Sequence, residues 1–286
     1  MTKKKVIALS CMIALSVCFL IGCGKNKVND SNTYSIDKIS EIQIDIDTWQ
    51  LNIMASSDEK AHISFDGNIS DNVVEPMALL QDNILKIAQK NDEELQDQIA
   101  LGKKGQITIH LPTDCTIPIT ISNEIGDIEV DSISIKNLQL LNNAGYVTFT
   151  NFEADNLKVS SMSGDITVKT SDIDNVDISA TSGYIKLSNT TFISSEIATK
   201  SGEINMSEIS TNTNIHLQTG SGDINLSYKT SPDNLDFSVS SGSKDITIHF
   251  NKESYEKETS ACRQGIIGEG QNKLEINSDN GTVVVK

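Results

Sequence analysis

The chain has 286 residues, of which 37% are apolar and only 5% aromatic, and its formal net charge is −16. Such a negative surface repels nucleic acid and anionic lipid head groups, which argues against nucleic-acid binding. Arg263 is the only arginine, which argues against a binding site in which several arginines hold phosphate or carboxylate groups through paired hydrogen bonds.

The N-terminal residues have the pattern of an export signal. Lys3, Lys4 and Lys5 precede an apolar stretch over residues 6–20, which is shorter than a membrane-spanning helix requires. The stretch ends in Leu20-Ile21-Gly22-Cys23, which resembles the bacterial lipobox. We therefore predict a lipoprotein signal peptide over residues 1–22, with Cys23 as the lipidated residue and the membrane as a partner through acyl chains. Its removal leaves 20 basic residues against 39 acidic ones.

The next segments are irregular. Residues 23–34 are predicted to be the lipidated cysteine and a flexible tether, because residues 24–32 are polar and lack periodicity. Residues 35–115 are predicted to form imperfect coils that also cap the rest of the chain, with Trp49 in place of a glycine. A helical turn is expected over residues 75–81, and residues 91–105 form a polar loop.

Residues 116–286 contain a repeat of nineteen residues. Apolar-x-apolar pairs precede and follow each repeat glycine at fixed distances, for example Leu157/Val159 before and Ile166/Val168 after Gly164. Alternation with period two predicts strands with one buried face. The repeat glycines are Gly126, Gly145, Gly164, Gly183 and Gly202, followed at twenty-residue spacing by Gly222 and Gly242, and later by Gly281.

The repeat predicts an all-β fold. Neither strand of a coil can bury its face alone, so equivalent strands of successive coils are expected to stack in parallel, about 4.8 Å apart. A third apolar position, such as Phe152 or Ile173, suggests a triangular coil. The glycine is expected at a corner with positive φ, and the serines before it are expected to satisfy the backbone groups of the turn.

The sequence shows few residues in the patterns typical of catalytic, metal-binding or disulfide sites. There is no CxxC motif, and Cys115 and Cys262 are expected to lie several coils apart, too far for a disulfide. The histidines are scattered with no two in equivalent positions, and no Ser/His/Asp or Cys/His set stands out. We therefore expect no enzyme and no cofactor. The four histidines are His62, His110, His216 and His249.

The residue after each glycine gives the most informative series. Glu203 and Asp223 follow each other there, and a Ca²⁺ ion between them is one hypothesis, with exposed turn carboxylates as the simpler alternative. Tyr146 and Tyr184 are candidates for a platform on which sugar rings stack, with packing between coils as the alternative. The complete series is Asp127, Tyr146, Asp165, Tyr184, Glu203 and Asp223.

The motif Ser-Gly-Asp-Ile recurs at residues 163–166 and 221–224, with Ser-Gly-Glu-Ile at residues 201–204 and Asn280-Gly281 near the end. These motifs resemble the bacterial β-strand-repeat family called "putative adhesin", a domain of unknown function that includes LiaG-like proteins. The resemblance implies a right-handed, single-stranded parallel β-helix without established catalytic residues, and an association of some members with envelope stress.

Three functions stay open at this point. The first is a surface lipoprotein whose β-helical face binds a cell-wall glycan or a protein. The second is an accessory component of an envelope stress response that contacts membrane proteins. The third is a carbohydrate-active enzyme, which the short coils disfavour because they leave no room for long catalytic loops outside residues 91–105 and 250–273.

The composition also bears on location. The scarcity of arginine and the abundance of lysine, isoleucine and asparagine suggest an AT-rich genome, and we therefore expect the protein on the outer face of a Gram-positive membrane.

Overall fold

The structure, a computed structural model, describes residues 26–69, 75–90, 105–250 and 255–286. The predicted signal peptide, Cys23 and most of the predicted loop at 91–105 lie outside these residues. The described part contains 25 strands, a 3-10 helix at Ile36–Lys38 and no α-helix, which confirms the all-β prediction. No helix in this part is long and apolar enough to cross a membrane.

Eight strands form the N-terminal part. β1 pairs antiparallel with β4, β4 pairs antiparallel with β7, and β5 pairs antiparallel with β6, so these strands form a cap on the first coils. Their bounds are β1 Asn26–Ser35, β2 Glu41–Ile46, β3 Gln50–Ser56, β4 Lys60–Ile69, β5 Met77–Gln81, β6 Ile84–Gln89, β7 Gly105–Pro112 and β8 Asp114–Cys115.

Two sequence predictions are wrong in this cap. Residues 26–34 of the predicted flexible tether belong to β1, which is polar yet pairs along its whole length with β4. Val28 is the only buried side chain of residues 27–35, so the pairing depends on backbone hydrogen bonds that cover the edge of β4 rather than on an apolar pattern. The helical turn predicted over residues 75–81 is strand β5, which forms a hairpin with β6 around Asp82 and Asn83.

Eleven strands form the regular middle of the stack. Each strand from β9 to β17 pairs in parallel with the equivalent strand of the next coil in the chain, so that Ile128, Val147 and Ile166 lie opposite one another in turn. The apolar positions of these strands are buried, including the third position at Phe152 and Ile173. The bounds are β9 Ile119–Asn123, β10 Ile128–Ile135, β11 Asn137–Asn142, β12 Val147–Ser161, β13 Ile166–Lys169, β14 Asp172–Ser182, β15 Ile185–Ser188, β16 Thr191–Ser201, β17 Ile204–Ile209, β18 Asn214–Ser221 and β19 Ile224–Tyr228.

Six strands form the C-terminal part. The last strand pair of the chain, β24 and β25, lies between β18/β19 on one side and β20/β21 on the other. β23 then adds antiparallel to β20, and β22 adds antiparallel to β23. The bounds are β20 Leu235–Ser241, β21 Ile246–Ile248, β22 Tyr255–Thr259, β23 Cys262–Ile267, β24 Asn272–Ser278 and β25 Val283–Val285.

The order of coils in the stack therefore differs from their order in the chain at both ends. At the N-terminal end β2 lies between β6 and β9, and β3 lies between β7 and β10. The expectation that successive coils always stack on one another is wrong here. Equivalent apolar strands fit one another in either order, so the loops and the antiparallel caps decide which coil lies innermost.

The register of the β20–β21 coil also differs from the prediction. Ile246 lies opposite Val283, which places Lys244 opposite Gly281. Lys244 has a φ of 66°, so it occupies the corner position that the spacing assigns to Gly242. A two-residue shift of the turn explains why the apolar pair of this coil begins four residues after Gly242 rather than two.

Candidate ligand-binding corner

The repeat glycines stack at one corner of the coils, which we call the glycine corner. A Cβ atom added to Gly164, Gly183 or Gly202 would lie closer than 3.0 Å to the carbonyl oxygen of the glycine before it in the stack. Only Gly145, Gly164, Gly183 and Gly222 of the repeat glycines have positive φ, so the predicted conformation holds for four of them. Close approach of neighbouring coils is what requires glycine throughout.

Trp49 takes the glycine position in the first coil, as its spacing predicts. A Cβ atom added to Gly126 would collide with the Trp49 carbonyl oxygen, just as it would with a glycine oxygen elsewhere in the stack. The Trp49 side chain is 1% exposed and points into the N-terminal cap, where it contacts Gly67 and Gly105. Thr48 and Trp49 donate their backbone N–H groups to Gln89 Oε1, at 2.9 and 3.1 Å.

Buried polar side chains hold the corner from within. Asn123 Nδ2 donates to the Gly126 carbonyl at 2.6 Å and to Asn142 Oδ1 at 2.7 Å. Asn142 Nδ2 donates in turn to the Gly145 carbonyl at 3.1 Å and to Ser161 Oγ at 3.1 Å. These bonds satisfy turn carbonyls that would otherwise be buried without a partner, so the corner presents a rigid outer surface.

Serines before the glycines satisfy backbone carbonyl groups at the turns, as predicted, and these bonds also join one coil to another. Ser163 Oγ donates to the Asn143 carbonyl at 3.2 Å and Ser182 Oγ to the Met162 carbonyl at 3.2 Å. Ser201 Oγ donates to the Thr181 carbonyl at 3.3 Å. Each bond crosses to the coil before, which makes the corner a continuous strip rather than a set of separate turns.

The position after the glycine alternates between a structural and an exposed role. Asp127 Oδ1 accepts the backbone N–H of Tyr146 at 3.0 Å, and Asp165 Oδ1 accepts that of Tyr184 at 2.9 Å. Asp223 Oδ1 accepts the N–H of Thr282 at 2.8 Å. The tyrosine rings themselves are 61% and 59% exposed, so they project from the rod instead of packing between coils.

The structure brings Tyr184, Glu203 and Asp223 together in one shallow groove of about 420 Å³. Gly183, Gly202 and Gly222 form part of its lining, together with two serines. The two sets of residues that the sequence suggested for different ligands therefore share a site. Tyr146 lies two coils away on the same corner.

The carboxylates of this groove have protein partners already. Glu203 Oε1 accepts from Asn205 Nδ2 and from Asn225 Nδ2, each at 3.3 Å. Among the described residues, no group of three or more His, Cys, Asp or Glu side chains is arranged to hold a metal ion. Since Ca²⁺ takes six to eight oxygen ligands, Glu203 and Asp223 supply few of those needed, and the Ca²⁺ hypothesis stays a prediction.

Two exposed apolar side chains at the corner were not identified as candidates from the sequence. Ile125 and Met162 are 40% and 62% exposed, one and two residues before a repeat glycine. Most repeats have Ser, Thr, Asn, Lys or Glu at these positions, so an apolar residue there could have been predicted from the sequence to be exposed. With Tyr146 and Tyr184 they place one large apolar side chain on each of four successive coils. We call Ile125, Tyr146, Met162 and Tyr184 the apolar strip.

The histidines and cysteines lie away from this corner. His62 and His110 are cross-strand neighbours in β4 and β7, so the expectation that no two histidines share a position is wrong. The pairing is antiparallel and falls in the polar cap, where no repeat reveals it. His62 Nε2 lies 2.8 Å from Asp58 Oδ1, and this hydrogen bond lowers the pKa of the Asp58 carboxyl group.

Cys115 and Cys262 lie at opposite ends of the stack and are both free thiols. Cys115 is 3% exposed in β8, beside Ile135, and burial raises the pKa of its thiol. Cys262 begins β23 opposite Ser240, and so belongs to a strand rather than to the predicted loop.

The sequence model of the family described as Toastrack DUF4097 matches residues 39–286. The chain belongs to this family. The match confirms the predicted resemblance to β-repeat domains called "putative adhesin". No curated protein matches this Toastrack chain.

Several solved structures are similar to this chain. One called a putative adhesin, from Bacteroides fragilis, is 18% identical over 92% of this chain and 99% of its own, with a TM-score of 0.52. Another so called, from Parabacteroides distasonis, is 15% identical over 92% of this chain and 98% of its own, with a TM-score of 0.45. A third, called a putative lipid binding protein from the same organism, is 13% identical over 90% and 96%, with a TM-score of 0.43.

Proposed function

We propose that this chain is a cell-surface lipoprotein whose β-solenoid binds a glycan or wall polymer along the glycine corner. The observation that carries the proposal is the apolar strip. Four successive coils each expose one large apolar side chain at the glycine corner, whereas exposed apolar side chains scattered singly are common on any protein. Tyrosine suits such a surface because its ring is apolar and its hydroxyl group stays hydrated.

The finer architecture belongs to the same proposal. We take the stack to be a right-handed, single-stranded parallel β-helix with coils of about nineteen residues, supported by the parallel pairing of β12 through β19. Such a rod repeats its side chains at each coil. A linear polymer with a repeating unit matches a surface of this kind better than a small compact ligand does.

The lipid anchor gives the rod a direction. If Cys23 carries acyl chains, β1 begins only three residues later at Asn26, so the N-terminal cap lies next to the membrane. The apolar strip then begins just beyond that cap and runs away from the membrane. We place the protein on the outer face of a Gram-positive cell membrane, from the signal sequence and the composition.

The proposal includes no catalytic step. His62 contacts Asp58 in the turn just before its own strand, and His216 contacts Glu275 on the neighbouring strand β24. The carboxylates of the groove accept hydrogen bonds from asparagine amides and a backbone N–H group, and no histidine among the described residues lines the groove with them. The absence of a catalytic step would be contradicted if the protein hydrolysed a bound oligosaccharide and the Glu203→Ala or Asp223→Ala variant lost that activity.

A glycan array probed with residues 24–286 tests the binding function. We expect retention of at least one glycan class, and its loss in Tyr146→Ala and Tyr184→Ala. Ile193→Ala is the matched control, since Ile193 is 60% exposed but lies outside the apolar strip. An array without any retained glycan, or equal loss in the control, would contradict the proposal.

A second function is favoured by a different surface. Among the described residues β5 pairs with β6 alone, at the edge of the N-terminal cap, and its Met77 and Leu79 are 42% and 46% exposed. An exposed apolar edge near the membrane suits contact with a membrane protein, as an accessory of an envelope stress response would make. Photo-cross-linking from position 79 in intact cells tests this: recovery of one membrane protein, with no glycan bound, would favour the second function.

A further inference from the structure

The groove around Tyr184 differs from the rest of the apolar strip in its charge. Tyr184, Glu203 and Asp223 occupy equivalent positions of three successive coils, so neighbouring members are about 4.8 Å apart along the rod. The strip thus ends in an exposed aromatic ring followed by two carboxylates.

We propose that this groove binds protonated amino groups of an amino-sugar polymer. This inference rests on the proposed glycan-binding function and names the ligand class. An ammonium group lies against the Tyr184 ring and the Glu203 carboxylate, while the sugar rings contact the apolar strip. Aromatic faces and carboxylates both attract ammonium groups, and the two together select a cation that also has an apolar face.

The missing counter-charge of the groove supports a cationic ligand. Two carboxylates elsewhere on the coils are paired with lysines, Asp155 with Lys136 at 3.7 Å and Asp177 with Lys158 at 2.5 Å. Within the part of the chain that the structure describes, neither Glu203 nor Asp223 makes an ion pair. Their hydrogen bonds from asparagine amides and a backbone N–H group orient the carboxylates without neutralising them.

The surface continues beyond the groove in a way that suits a polymer. Tyr146 and Tyr184 are two coils apart, or about 10 Å. Asp165 lies between them in the same series, so a carboxylate and a ring alternate along the rod. Several weak contacts on one chain raise the overall affinity through effective concentration.

The net charge of the whole molecule also favours a cationic ligand. The net charge of −16 attracts polycations and repels polymers that carry phosphate or carboxylate groups. A neutral, fully acetylated polymer retains the ring contacts but gains nothing from the carboxylates. Free amino groups are therefore the feature that the groove distinguishes.

Calorimetric titration of residues 24–286 tests the inference with two oligosaccharides of equal length, one of β-1,4-linked glucosamine and one of β-1,4-linked N-acetylglucosamine. We expect at least tenfold tighter binding of the glucosamine oligomer at low salt, with the preference falling as salt screens the charges. Glu203→Gln and Asp223→Asn should each reduce that preference several-fold. The amide oxygen of Asp223→Asn still accepts the Thr282 N–H group, so the coil stays fastened.

Asp174→Asn is the matched control, because Asp174 is an exposed acid at a different corner and should leave binding unchanged. Tyr184→Ala should weaken both oligomers. Equal affinity for the two oligomers would overturn the inference and leave the glycan-binding function standing. Binding of neither would also overturn it, and the glycan array would then decide the broader function. A preference that survives Glu203→Gln and Asp223→Asn but falls in Asp174→Asn would place the amine site elsewhere.

Discussion

The indole ring of Trp49 lies directly on the backbone of Gly105. A Cβ atom at Gly105 would come within 2.5 Å of two carbon atoms of the ring, and Gly67, the cross-strand partner of Gly105, meets the same ring from beside it. One tryptophan therefore joins the first coil to the antiparallel cap. Two glycines are needed because the ring fills the space that side chains would occupy.

Gly105→Ala should consequently destabilise the protein by about 1–3 kcal/mol, the range for adding carbon atoms to a packed core. Trp49→Leu should be destabilising alone because it leaves a cavity. Combined with Gly105→Ala, however, it should cost less than the sum, since the smaller side chain leaves room for the new methyl group. Urea denaturation of the four proteins measures this coupling, and strictly additive effects would contradict the contact.

A second prediction concerns the corner that follows each short strand. Ser132, Asn151, Thr170, Asn189 and Glu208 recur there at nineteen-residue intervals, all with φ between 49° and 57°. Asparagine tolerates this left-handed conformation, whereas a β-branched side chain is strained in it.

Thr170→Asn should therefore stabilise the protein by about 1 kcal/mol. Thr170 is exposed and makes its bond to the Ser188 carbonyl through the backbone N–H group, which the substitution keeps. Thr167→Asn is the control, because Thr167 lies within strand β13 and asparagine is a poor strand residue. Thermal unfolding should show a higher midpoint for Thr170→Asn and a lower one for Thr167→Asn; a lower midpoint for both would contradict the strain.

The spacing of the glycines predicted the middle of the stack well, because each coil solves the same local problem. Ile166 lies opposite Ile185, and Ile185 opposite Ile204, as the nineteen-residue repeat requires. The placement of Trp49 followed from the same spacing. A one-residue slip would turn the apolar faces outward, so the pattern fixes the register strongly.

The ends were not predictable in the same way. Val283 is an equally good neighbour for Ile224 and for Ile246, and it contacts both, so apolar pattern alone could not order these coils. β1 was missed because a polar strand stabilised by backbone pairing has no apolar period. At the corner, the sequence identified Tyr146 and Tyr184 by their position after a repeat glycine. It did not predict their exposure, which depends on how closely the backbones of neighbouring coils approach at those glycines.

Cys115 and Cys262 should differ in reactivity. Burial raises the pKa of the Cys115 thiol, so a smaller fraction is thiolate at pH 8, and its 3% exposure limits access. Cys262 is only half-buried at the start of β23. Iodoacetamide at pH 8 should label Cys262 at least tenfold faster in the folded chain, and both at similar rates in urea. Mass spectrometry of the peptides measures this, and rapid labelling of Cys115 would show that β8 opens readily.

The insertion of the last coil gives the sharpest test of the fold. β24 pairs with β18 and with β20, so removal of residues 272–286 separates the coil of β20 and β21 from the rest of the stack. We expect hydrogen exchange to become fast over residues 235–248 in the shortened chain, while residues 166–187 keep their protection.

Were the coils stacked in chain order, the same truncation would remove only an outer layer and leave residues 235–248 protected by β18 and β19. Lys273→Ala is the control, because the Lys273 side chain is exposed on β24 and its loss should leave exchange over residues 235–248 unchanged. Retained protection in the shortened chain would mean that β20 can pair with β18 directly. The inserted coil would then be one of two accessible orders rather than a requirement of the fold.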